Sequence, residues 1–175
     1  TWNGLTDSTW HTGGNWASGT APASGDNIFI RDSSTDPVIS TTSVQLTNLT
    51  VESSGVLTIN AGKDLTLSGD FSNSGTVTLN SSSAAYSSLI VQGSSSGNIT
   101  YNRYVNALGG GSGWDLIGSP VDDLSISSFA TTNALPLATG GGSGGDQYAI
   151  GVYDNETASW SNWTTDSGSN DIANA

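Results

Sequence analysis

The heptapeptide SGVLTIN at 54–60 returns as SGTVTLN at 74–80 and as SGNITYN at 96–102. A motif repeated at near-constant spacing constrains the fold more than any single residue does. Aligned on Gly55, Gly75 and Gly97, the copies lie 20 and 22 residues apart. Apolar residues then fall two places after the glycine (Leu57, Val77, Ile99) and four places after it (Ile59, Leu79, Tyr101). Thr58, Thr78 and Thr100 lie between them, and Asn60, Asn80 and Asn102 follow. Alternation with period two puts the apolar pair on one face and the threonine on the other, as in a half-buried strand. Each glycine is read as the bend that begins its strand.

A second kind of strand separates the copies, with Leu49 and Val51, then Leu65 and Leu67, then Leu89 and Val91 in alternation. Strand and turn recurring at about twenty residues per unit predict an all-β fold, a short β-solenoid whose rungs stack like residue over like. Leu57, Val77 and Ile99 would form one core column, and Ile59, Leu79 and Tyr101 another. Asn60, Asn80 and Asn102 would form a hydrogen-bonded ladder of amides. NAGKD at 60–64 also suits a hairpin loop, so an antiparallel β-sandwich throughout is the alternative.

Fifteen acidic residues stand against three basic ones, Arg31, Lys63 and Arg103, for a net charge of −12. Such a surface repels phosphate backbones and anionic lipid, which argues against nucleic-acid binding and membrane association. No run of about 18 apolar residues offers a membrane span. Only 10% of the residues are charged, which separates the chain from disordered acidic tails. Cysteine is absent, so neither disulfides nor thiolate metal sites can contribute. The chain is read as a mature or trimmed one.

Ahead of the repeat runs WNGLTDSTWHTGGNWASGTAPASGDNIFIRD. Trp2, Gly4, Trp10, Asn15, Trp16, Gly19, Pro22, Gly25, Asp26, Ile28 and Ile30, with the repeats, NITYNRYV and GWDLIGSPV after them, carry a resemblance. They resemble the N-terminal β-solenoid regions of large bacterial surface proteins and adhesins exported by the type IX secretion system. That resemblance implies an extracellular or cell-surface location and no reaction, and it makes the DST at 7–9 an O-glycan acceptor. Independently, a stacked-rung fold has unpaired strand edges and an exposed apolar column at its ends. Trp2, Trp10 and Trp16 are assigned to closing one of them, with sugar stacking as their alternative role.

The organisation expected is a Trp-rich cap over 1–36, solenoid repeats over 37–105, and a small β-sandwich-like region over 106–175. Glycine-rich junctions fall at 108–115 and 138–147, and WDLIGSPV, SISSF, QYAIGVYD and SWSNWTTD read as short strands. The closing SGSNDIANA reads as a tail, an inter-subunit arm or a cut within a longer chain.

Motifs for chemistry are weak. GSSSG at 93–97 formally matches G-x-S-x-G around Ser95, but a strand follows it where a nucleophile elbow needs a helix, and His11 is the one histidine available as base. GGGSGG at 140–145 leads into a strand rather than the helix of a dinucleotide fold. Asp115, Asp122, Asp123, Asp146, Asp154 and Glu156 are candidate glycosidase carboxylates, each in a turn-like context. No cofactor is expected; calcium is the ion that oxygen-rich turns would suit, with Asp122, Asp123, Asp154 and Glu156 the first metal candidates. Formal N-glycosylation sequons begin at Asn48, Asn80, Asn98, Asn155 and Asn162.

The leading reading is a non-catalytic extracellular structural protein: an adhesin, a stalk or a self-associating fibre or filament subunit. The alternative is a carbohydrate-binding module with Trp114, Trp160 and Trp163 as glycan contacts. Trp160 and Trp163 are three apart, which points them to opposite faces of a regular strand.

Overall fold

The computed structural model describes residues 1–105, 125–134, 137–138 and 145–165. Two compact units emerge, Thr1–Gly113 and Trp114–Ala175.

In the first unit, eleven short strands wind through three parallel sheets. They are β1 (Asn27–Ile30), β2 (Val38–Ile39), β3 (Val44–Leu46), β4 (Asn48–Val51), β5 (Val56–Ile59) and β6 (Asp64–Leu67). Then follow β7 (Phe71–Asn73), β8 (Thr76–Asn80), β9 (Ser88–Val91), β10 (Ser95–Ser96) and β11 (Thr100–Asn102). The sheets run β1-β4-β7-β10, β2-β5-β8-β11 and β3-β6-β9. Each of the first three rungs contributes one strand to each sheet and the fourth adds β10 and β11, which makes the unit a three-sided parallel β-solenoid of about four turns. The antiparallel alternative is excluded for this unit, because every strand pair in it is parallel.

Register follows the repeat. Leu57 pairs with Val77 and Ile59 with Leu79, and Leu79 in turn pairs with Tyr101. Partners are 20 residues apart between β5 and β8, as in Leu57↔Val77, and 24 between β6 and β9, as in Leu65↔Leu89. The longer interval is absorbed at the corner after β8, where Ser82 N–H donates to Ala85 O at 2.8 Å and Ser87 N–H to Asn80 O at 3.1 Å. Sheet geometry therefore survives variation in turn length.

Ile39, Ile59 and Leu79 form a buried column that Tyr101 continues, partly covered. Parallel columns run Ile28, Leu49, Phe71 and Leu46, Leu67, Val91. Full burial of each such side chain is worth about 1.5–3 kcal/mol, so the interior is the main source of stability. Ile99 departs from expectation: it is 40% exposed and lies outside β11, which begins at Thr100. In rung four the pairing starts one residue after it, and Gly97, at φ +87°, turns the chain just before.

Gly97 supplies the bend expected of it, whereas Gly55 and Gly75 act differently. At 54–55 the left-handed residue is Ser54, with φ +69°, while Gly55 is demanded by contact: an added Cβ would lie 2.6 Å from Ile30 O of the previous rung. A Cβ on Gly75 would likewise collide with the carbonyl oxygens of Gly55 and Glu52. Rung-to-rung approach, more than turn geometry, places glycine at these two positions. The domain limits also shift, because β1, inside the expected 1–36 cap, is already the first strand of its sheet.

The second unit contains helix α1 (Ile126–Thr132) and a three-stranded antiparallel sheet, β12 (Leu137–Ala138), β13 (Gln147–Asp154) and β14 (Ser159–Thr164), in the order β12-β13-β14. SISSF, expected as a strand, enters the helix instead. Ser125 caps it, its Oγ accepting from Ser128 N–H at 3.2 Å, and Ile126 and Ala130 are buried one turn apart.

Candidate functional site

Two constructions stand out, one at the start of the solenoid and one on the β13–β14 hairpin. At the first, Trp2, Trp10 and Trp16 are all buried. Trp16 sits between the other two, with ring centroids 5.0 Å from Trp2 and 4.7 Å from Trp10, both edge to face. The Trp2 indole N–H donates to Thr35 O and that of Trp16 to Trp10 O, each at 2.7 Å. Burial and these bonds close the rings to a sugar and make them a hydrophobic plug.

Asn15, fully buried, holds the loop around the plug. Its Oδ1 accepts from Thr6 and Asp7 N–H at 2.9 and 3.0 Å, and its Nδ2 donates to Asp7 Oδ1 and Thr9 O at 2.8 and 3.0 Å. The bond from Asn15, then that from Thr9 N–H, lowers the Asp7 pKa below the usual carboxylate value of 3.8. Trp2 N–H donates to Phe29 O, Trp10 N–H to Val38 O, and Val38 N–H to Ser8 O. The N-terminal segment thus occupies the free edges of β1 and β2, which a solenoid end would otherwise present for pairing.

Among the expected ladder residues, Asn102 Nδ2 donates to Asn80 Oδ1 at 2.9 Å. Asn60 does not join them among the described residues, since it lies one place beyond the end of β5 whereas Asn80 is inside β8. A different ladder runs along the corner before β4. Asn48 Nδ2 donates to Asn27 Oδ1 at 2.7 Å, Asn48 Oδ1 accepts from Asp70 N–H at 2.6 Å, and Asp70 Oδ1 accepts from Ser94 N–H at 2.8 Å. These residues lie about one rung apart, a signal that was present in the sequence at positions just ahead of the apolar alternation.

Ser95 lies in β10, paired in parallel with β7, so no elbow forms, and His11 sits in rung one against Thr41 and Thr42, at 3.0 and 3.4 Å from their hydroxyls. Desolvation lowers the His11 pKa below 6.5. Asp154, a metal and glycosidase candidate, is a turn residue. Its Oδ1 accepts from Glu156 N–H at 2.8 Å and its Oδ2 from the Thr157 hydroxyl at 2.7 Å. The bonds from the Thr157 side chain and then Glu156 N–H lower its pKa below 3.8. Among the described residues no three His, Asp or Glu side chains converge. Trp114, Asp115, Asp122 and Asp123 lie outside the described residues, as does GGGSGG apart from Gly145.

On the hairpin, Trp160 and Trp163 do not share a platform: Trp160 is exposed, whereas the indole nitrogen of Trp163 is buried without a hydrogen-bond partner. Trp160 instead pairs across the strands with Tyr153, ring centroids 5.2 Å apart at 58°. Tyr153 was not singled out from sequence. Pairing Asp154 with Ser159 around the NETA loop would have placed it opposite Trp160.

A parallel β-solenoid closed at its first rung by a tryptophan plug is therefore the class of protein that these residues define. The chain belongs to a family described as a domain of unknown function, DUF8693, whose profile matches residues 1–138. No curated protein and no solved structure matches the chain.

Proposed function

We propose that this chain is a non-catalytic structural module of the cell exterior, a stalk segment of a surface adhesin, exported as its resemblance to type IX cargo implies. The observation carrying the reading is the uninterrupted interior from Ile39 through Ile59 and Leu79 to Tyr101, stacked in register and sealed at its first rung by Trp2, Trp10 and Trp16. Side chains are spent on stacking and corner ladders, and the nominal nucleophile and base, Ser95 and His11, belong to different rungs.

Self-association belongs to the same family of readings, but rung-on-rung addition needs open edges. Trp2 and the Ser8–Trp10 stretch already bond to β1 and β2, which favours a stalk over a fibre subunit. Brief proteinase K treatment of intact cells carrying the full-length protein should remove an epitope placed in this segment. Protection until lysis would overturn the exterior location. Concentrated purified chain should appear as dispersed particles by negative-stain microscopy, and ordered filaments would restore the fibre reading.

A further inference from the structure

We propose that the outer face of the β13–β14 hairpin is a binding site for a neutral glycan, formed by Tyr153, Trp160 and Asn162. Tyr153 and Trp160 are 43% and 47% exposed, and a paired exposed Tyr and Trp is a costly arrangement for a surface without a ligand. Cross-strand neighbours continue the shelf. Gly151 pairs with Asn162, two places along each strand from the aromatic pair and so on the same face. Because residue 151 has no side chain, the Asn162 carboxamide lies over it: a Cβ there would come 2.9 Å from Asn162 Oδ1. Among the described residues that carboxamide makes no hydrogen bond, which leaves a donor and an acceptor beside two aromatic rings.

Rings that offer a C–H-binding surface next to an unengaged amide suit a pyranose, which has apolar faces and a hydroxyl rim. Charge narrows the class. A chain of net charge −12 disfavours uronic or sulfated sugars. A cationic ligand would be held by the ring faces alone and would leave the Asn162 carboxamide unused, whereas a sugar engages both the rings and the amide. The ring tilt of 58° forms a shallow corner and not a flat strip, which fits one or two sugar units of a chain. This site stands independently of the stalk reading and would give such a stalk something to hold.

The test uses the purified chain on an array of neutral gluco-, xylo-, manno- and galacto-oligosaccharides, followed by titration calorimetry on those retained. Trp160→Ala and Tyr153→Ala should each weaken binding about tenfold or more, and Asn162→Ala should weaken it measurably. Trp160→Phe, which keeps a ring and the strand propensity, should retain part of the affinity and so separates ring loss from misfolding. Phe29→Ala, at an exposed aromatic on the solenoid, should bind as the parent does. No retained neutral glycan, equal binding by Trp160→Ala, or preferential capture of tetramethylammonium or acidic sugars would each overturn the proposal.

Discussion

The Trp16 indole stands edge to face against Trp10 at 4.7 Å and donates its N–H to the Trp10 carbonyl at 2.7 Å. One side chain thereby plugs the first rung and ties down the backbone of the segment that covers β2. Loss of Trp16 removes packing and a bond together. Trp16→Ala should destabilise the first unit by about 3–5 kcal/mol, read from the urea midpoint. Trp16→Phe keeps a ring but orphans the carbonyl and should fall between the two. A Trp16→Ala loss below about 1 kcal/mol would show that the plug does not hold the solenoid.

Acid should loosen the plug in two windows. His11 is held neutral by desolvation, with a pKa below 6.5. Its contribution is complete above that value and declines as pH falls through the lowered one. Asp7 is held ionised by Asn15 and Thr9, with a pKa below 3.8. Its contribution is complete above 3.8 and is lost only as pH falls further. Near-ultraviolet circular dichroism of the tryptophans should follow both steps. His11→Gln should remove the upper step and Asp7→Asn the lower; an unchanged profile in Asp7→Asn would refute the role given to that carboxylate.

Ser54, at the turn before β5, and Gly75, at the equivalent turn before β8, should respond in opposite senses to substitution. Gly75→Ala forces a methyl into the Gly55 and Glu52 carbonyls and should cost about 1–3 kcal/mol. Ser54→Gly relieves a left-handed residue and should cost nothing, or add up to about 1 kcal/mol. Thermal melts decide it. If Ser54→Gly proves the more damaging, turn geometry and not rung contact governs these corners.

The stacked interior was legible in the sequence because a period of two and a recurrence near twenty residues act on the same side chains. Leu57 over Val77 and Ile59 over Leu79 are direct consequences. Features set by where a strand stops were not legible. Asn60 and Asn80 occupy equivalent places in the motif, yet one lies past its strand and the other within it. The Asn27, Asn48, Asp70 corner ladder was hidden because its third member changes from amide to carboxylate. Tyr153 and Trp160 meet through antiparallel pairing, which a search for repeats does not detect. The α1 helix has too few turns to display a helical period.

A last comparison separates membership of the motif from membership of the core. Leu57 and Ile99 hold the same place in their copies, but Leu57 is fully buried and Ile99 is 40% exposed. Leu57→Ala opens a cavity between rungs and should cost about 2–5 kcal/mol. Ile99→Ala removes a side chain that water already reaches and should cost under about 1 kcal/mol. Guanidinium unfolding of both variants under identical conditions measures the difference. Equal losses would mean that Ile99 is covered in solution, so that the Leu57–Val77 column also extends into the fourth rung, as the Leu79 column does through Tyr101.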